Sequence, residues 1–316
     1  MPANRFSPVA CLVVLLATAT PVWSGDTPTV SPALVMINDR LAQMGLNVRV
    51  SKAEYLQMKL NVPIVKESAE SFDGNFAGNN TIIADDHVLR LPSQWVPNDA
   101  RRNADGRNIT YLVDQSDAAP NGGLGSAQTE AAIDRAMATW NLVSCANIPI
   151  VKRADSGVDP DLVDGLVGFG SVGTPYLADI VDAGWMPPAF FDLFIPDGGT
   201  SVLAATFTFI LLDPASDNDV NGDHQFDVGS REIYYNNYFS WGVNTDPPIA
   251  DVETVALHEA GHGLSQGHFG KIFIKDDQLH FAPFAVMNAV VFGQNHVLQG
   301  TDNGGHCSIW GSWPTK

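Results

Sequence analysis

Cysteine is scarce in this chain, with 3 in 316 residues. Charge is sparse too: charged residues are 16% of the sequence, and Lys+Arg number only 17 against 35 Asp+Glu, a formal net charge of −18. So few basic residues argue against nucleic acid or an anionic membrane as a partner, because both require a basic footprint. The acidic balance fits an exported protein and cation binding, and equally plain solubility. Long apolar runs are missing beyond the N-terminus. The longest later one, Val202–Leu212, is short and rich in β-branched and aromatic residues, so it reads as a buried strand. No internal repeat is visible. Hydrophobic residues make up 45%, which excludes a wholly disordered chain and suffices for one large domain or two small ones.

Near the N-terminus Arg5 precedes the apolar stretch Val9–Ala19, with small residues at Val22 and Ser24. This predicts a secretory signal, residues 1–24, cleaved after Ser24. The stretch is too short to span a bilayer comfortably. The expectation is therefore a secreted, extracellular or periplasmic protein with no membrane partner after cleavage. Cys11 would leave with the signal. Cys145 and Cys307 then remain as an even pair in an oxidising setting, where a disulfide is the default and two buried free thiols the alternative. Two distant cysteines are too few for a structural zinc site.

Organisation follows from punctuation. A helix is expected over Pro32–Met44 and a short strand over Leu46–Val50. Residues 68–81 are small and polar, a linker pattern. Another polar patch, Asn98–Asn108, precedes a strand at Ile109–Val113. A boundary is placed near residue 105, dividing an N-terminal segment (25–105), a candidate pro-region, from a main domain (106–316). In the main domain a helix capped by Ser126 carries Ile133, Ala136, Met137 and Trp140 on one face. Strands follow at Ile148–Val151, Val202–Leu212 and around Ile233–Tyr235. Residues 155–200, rich in Gly, Pro and Asp, carry no assignable pattern. This order suggests a mixed α+β sheet with the first helix packed across it.

The chemistry concentrates in Asp251–Phe269. Asp251 can cap a helix carrying His258-Glu259-Ala260-Gly261-His262. Two His four apart on a helix lie on one face, one turn apart, the separation a single zinc ion needs. Glu259 beside the first of them can hold a water and take its proton. His268 follows after a turn through Gly263 and Gly267, and its imidazole can complete a three-histidine set with an open fourth position, as catalytic zinc sites have. No Glu occurs after Glu259, so Asp302 is the competitor for the third ligand. His87, His224, His280, His296 and His306 show no ligand spacing.

His258-Glu259-x-x-His262-x-x-x-x-x-His268, followed by Ala285-Val286-Met287, resembles the metzincin metallopeptidases, especially bacterial matrixin-like ones. The resemblance covers roughly residues 105–311. It implies an α+β, zincin-like fold: a mixed, mostly parallel twisted sheet, an active-site helix and a small C-terminal subdomain. It further implies that Met287 forms the family's tight turn beneath the zinc, that Glu232–Asn236 is the edge strand above the cleft, and that Thr301–Trp310 is the closing helix. Two departures stand out. The family's Gly three residues after the second His is Ser265 here, at a position that takes a left-handed backbone at a cost of about 1 kcal/mol for Ser. Met287 is followed by Asn288-Ala289 rather than Tyr-Pro. The family's pro-segment cysteine is also absent, since residues 25–105 contain no Cys.

A second candidate site is the Asp-rich loop Asp217–Asp227. Asp217, Asp219, Asn221, Asp223 and Asp227 place oxygens at alternate positions with Gly222 at the sixth, as in extracellular calcium loops. The twelfth position is Val228 rather than a bidentate Glu, and a solvated acidic turn is the plain alternative. The expectation is thus a secreted zinc-dependent endopeptidase. Zn2+ would sit on His258, His262 and His268, Glu259 would be the general base, Ca2+ would be an optional second ion, and a protein or peptide would be the substrate. The alternatives are a catalytically silent, calcium-stabilised binding or adhesion module on the same scaffold, and a hydrolase of non-peptide amides.

Overall fold

Period-two alternation along the strands sends successive side chains into two cores, one on each face of a central sheet. The computed structural model describes residues 31–58, 64–66, 81–102, 106–117, 119–213, 215, 218–291 and 293–315. The expected signal, residues 1–24, and the expected linker 68–81, save its last residue, lie outside the described residues. The chain opens with α1 (Pro32–Gln43), capped by the Ser31 hydroxyl, then β1 (Val48–Met58), β2 (Ile64–Lys66), β3 (Thr81–Asp86) and β4 (Ser93–Gln94). Next come β5 (Ile109–Val113), α2 (Ser126–Asn141), β6 (Ile150–Lys152), α3 (Val163–Val167), β7 (Ile180–Met186), α4 (Pro188–Asp192), α5 (Gly198–Ser201), β8 (Val202–Leu211) and β9 (Phe226–Asn236). The remainder holds β10 (Trp241–Gly242), β11 (Ala250–Asp251), α6 (Val252–Gly263), β12 (Gly270–Lys275), β13 (Gln278–Ala282), β14 (Val290–Val291) and α7 (Gly300–Trp310).

The main sheet has the order β14-β1-β8-β9-β7-β5-β6, with β4 beside the start of β9. Only β1–β8 and β8–β9 pair antiparallel, so this is a mixed, mostly parallel sheet in an α+β fold. Helix α2 makes the crossover that joins parallel β5 and β6, as such a pair requires. Ile109, Tyr111 and Val113 of β5 pack with Ile133 and Trp140 of α2 and Leu257 of α6 on one face. Leu112 packs on the other face with Ile37 and Leu41 of α1 and Phe190 of α4. A smaller four-stranded sheet, β2-β13-β12-β3, stands beside it. Its β12–β13 hairpin turns on Asp276 and Asp277, both at positive φ (51° and 58°), the backbone of a two-residue primed turn.

Three expectations are corrected here. The boundary near residue 105 does not separate two bodies, since Ser31–Lys316 form one compact unit. The residues before it supply β1 and β4 to the main sheet and fully buried Leu56 and Trp95 to its core. Buried Arg102 forms an ion pair with buried Asp179 at 2.8 Å. The Glu232–Asn236 strand is not an edge: β9 lies between β7 and β8, Tyr234 is fully buried, and β1 covers the outer side of β8. Helix α2 begins at Ser126, with Gly125 as its cap, because the Gln128 side chain reaches back to the Gly125 amide.

Cys145, just past α2, and Cys307 on α7 form a disulfide with Cα atoms 5.5 Å apart. No helix among the described residues is long and apolar enough to cross a membrane.

Asp182 of β7 is buried and accepts a hydrogen bond from the Tyr235 hydroxyl at 2.7 Å. Burial pushes its carboxyl up to about 7, the hydroxyl only partly opposing this. The folded state therefore holds a proton that the unfolded chain has already lost above pH ~4. Stability from this group is fully present below that value and is lost as pH rises toward 7, with ν_N exceeding ν_U between the two. Asp182→Asn, which mimics the neutral acid, is expected to be the more stable protein at pH 8 by on the order of 2–4 kcal/mol. Urea unfolding at pH 6 and pH 8 reads this, and an equal pH slope in both proteins would refute it.

Candidate metal centre

Helix α6 starts where Asp251 accepts the Thr254 amide at 2.9 Å, so the expected cap is in place. Its C-terminal carbonyls, which a helix cannot satisfy internally, are taken by side chains from three elements. Trp95 Nε1 and Arg231 Nη1 donate to Gly263 O at 3.0 and 2.8 Å, and Trp310 Nε1 donates to Leu264 O at 2.8 Å. Beyond the helix Ser265 adopts φ 67°, the left-handed backbone expected at this position. Its hydroxyl accepts from Arg231 Nη1 at 3.0 Å, which offsets part of the strain. This turn swings the chain back toward the helix, and Gly267 N donates to Leu89 O at 3.2 Å.

The consequence is a convergence of three imidazoles. The Nε2 atoms of His258, His262 and His268 lie 3.0, 3.1 and 3.2 Å from one another. Tetrahedral ligation at the usual metal–nitrogen length places neighbouring nitrogens about 3.3 Å apart, so the triangle fits one small ion. The opposite ring nitrogens confirm the tautomer for two of them: His258 Nδ1 donates to Val286 O at 2.7 Å and His262 Nδ1 to Gln266 O at 2.8 Å. Their Nε2 lone pairs then face each other, an arrangement that is repulsive until a cation lies between them. Burial lowers the His258 pKa to about 4 and holds His262 and His268 well below the usual range, with the neighbouring rings adding to it. These three residues could hold a metal ion.

Glu259 is fully buried beside the triad. Its Oε2 accepts from Thr206 Oγ1 of β8 at 2.5 Å, while Oε1 is buried and has no hydrogen-bond partner among the described residues. Burial pushes its carboxyl up to about 8, the Thr206 hydroxyl opposing. One oxygen is thus anchored to the sheet and the other is left to hold a small polar molecule. Met287 packs under the helix: a Cβ on Gly261 would meet its sulfur at 2.3 Å, so a larger residue at this position would displace the Met287 side chain. Asp302, the competitor for the third ligand, serves this turn instead. Its carboxylate accepts from the amides of Val286, Met287 and Gln299 at 2.9, 3.0 and 2.7 Å.

The Asp-rich loop behaves differently. Asp217 lies outside the described residues. Asp219 accepts the amides of Asp223 and His224, and Asp223 accepts the Gln225 amide and the Asn221 side chain. Asp227 is buried against Arg101 at 2.5 Å and the Val220 amide. Gly222 takes a positive φ, 70°. Among the described residues these oxygens serve the loop's own amides, the Asn221 side chain and Arg101, and they do not converge as the three histidines do.

Sequence reasoning missed three residues of the centre: Thr206, inside an apolar run; Arg231, outside any motif; and Glu54, which faces His268 from β1. Compared with known proteins, the chain matches no family model and no curated protein.

Proposed function

We propose that the chain is a secreted zinc-dependent endopeptidase of metzincin-like type, with a protein or peptide as substrate. The observation that carries this reading is the triangle of neutral imidazoles with the half-anchored Glu259 carboxylate beside it. Three nitrogen donors suit zinc and leave a position open, as catalytic rather than structural sites do. The helix crossing under a mixed sheet and Met287 packed against Gly261 of α6 support the same family resemblance.

When bound, zinc supplies Lewis-acid polarisation of the scissile carbonyl and a water of lowered pKa. Thr206 fixes one oxygen of Glu259, so the carboxylate cannot rotate away. The raised Glu259 pKa would fall with a cation on the three imidazoles, and the ionised Oε1 could then accept the proton of the attacking water and return it to the departing amine. A substrate approaches from the side of His268, which is part-exposed, whereas His258 and His262 are buried. It does not pair with β9, whose two flanks are occupied.

The test is zinc stoichiometry together with cleavage of a proteome-derived peptide library, on wild type and Glu259→Ala in parallel. The variant should bind equimolar zinc and lose roughly two or more orders of magnitude in hydrolysis, the scale of a lost general base. Cleavage near the wild-type rate would remove Glu259 from the mechanism. Zinc binding without cleavage by wild type would favour the silent scaffold.

A further inference from the structure

Main-chain carbonyls orient two of the three imidazoles, Val286 O for His258 and Gln266 O for His262. His268 differs. It lies beyond α6, so no helix fixes its ring, and its Nδ1 faces a side chain, the carboxylate of Glu54, with Oε2 at 3.7 Å. A sub-ångström shift of either group closes that contact to a hydrogen bond.

Glu54 reaches this place through the geometry of β1. The β1–β8 register slips between Val50 and Lys52, a bulge that adds one residue to β1. Before it, Val48 and Val50 enter the core beneath α1. After it, Ala53 and Tyr55 take that side, and Glu54 and Leu56 turn toward α6. One inserted residue reverses the parity of a strand, and bulges beside sites re-aim side chains in this way. Glu54 is buried, its Oε1 is paired with Lys52 Nζ, and it sits opposite Thr206, the residue that anchors Glu259.

We propose that Glu54 is a positioning residue of the metal centre, accepting the Nδ1–H of His268 and so presenting the Nε2 lone pair to the ion. It supplies for His268 what carbonyls supply for the other two. A carboxylate behind a ligating imidazole also raises the basicity of that ligand. The inference rests on the three imidazoles being metal ligands and is independent of the reaction they serve.

The experiment measures zinc affinity by competition with a chromogenic chelator for wild type, Glu54→Ala and Glu54→Gln. It also records the Tm of each metal-stripped protein and the nitrogen-15 tautomer signature of His268. Glu54→Ala should bind zinc about 10- to 100-fold more weakly, the range seen when such partners are removed. Glu54→Gln, which keeps a carbonyl acceptor, should recover most of the loss and the Nδ1–H tautomer, with all three Tm values alike. Unchanged affinity in Glu54→Ala overturns the proposal. Equal losses in both variants with a lowered Tm also overturn it, and assign Glu54 to the packing of β1. Faster peptide cleavage at unchanged affinity overturns it in favour of β1 as a cover over the site. Should no protein cleave peptides while the affinity pattern holds, the peptidase reading falls and the role of Glu54 stands.

Discussion

Arg231→Ala is expected to lower folding stability by about 4–6 kcal/mol, the combined scale of a large-to-small core substitution and orphaned acceptors. The guanidinium is fully buried and donates to Thr208 Oγ1, Gly263 O, Ser265 Oγ and both Ser93 oxygens. It also lies 5.3 Å from the Trp95 ring centroid. Replacing a buried charge by an apolar group is sometimes neutral, because desolvation of the charge is relieved. Here that relief is real, since burial lowers the Arg231 pKa to about 9. It is outweighed because one fork ties together oxygens of β4, β8 and the end of α6, although Gly263 O keeps the Trp95 donor. Arg231→Lys should recover little, as one ammonium cannot span those acceptors. Urea denaturation of the oxidised protein measures the change, and a loss under 1 kcal/mol would show that the oxygens find other partners.

Removing the Cys145–Cys307 bridge should be nearly as costly. The two residues are 162 apart in sequence, and loop closure of that length contributes on the order of 4–5 kcal/mol through the unfolded chain. The double Ala variant should therefore melt on the order of 10 °C lower. Scanning calorimetry of the oxidised protein with and without reductant is the check, and coincident melting curves would mean that native strain or denatured-state structure cancels the gain.

What was legible in the sequence was local. His258, Glu259 and His262 declare themselves because one helical turn sets their spacing, and Asp251 because a cap acts over three residues. The β8 run was legible for the same reason, whereas the cysteine pair, 162 residues apart, was read from its even count alone. Strand β7 was not, since Asp182 and Gly184 interrupt its apolar pattern. The carboxyl is tolerated there only because Tyr235, on the neighbouring strand, meets it. The interior place of β9 was hidden because the strand covering β8 comes from the opposite end of the chain. Ser51, Lys52 and Glu54 make β1 look like a loop after Val50, and the bulge that reconciles them with a sheet depends on pairing with β8. Glu54 had no local signal at all.

The antiparallel pairing of β1 with β8, Val48 opposite Leu211, has a bearing on biogenesis. Synthesis releases β1 first, yet its hydrogen-bonding partner emerges only after a further stretch as long as many whole domains. Through that interval Val48, Val50 and Leu56 have no sheet to enter, and such long-range pairings close slowly. The histidines are made later still. Ligand convergence is therefore among the last events of folding, and a nascent chain extended only through β8 already carries Glu54 and Thr206 before any of the three histidines is made.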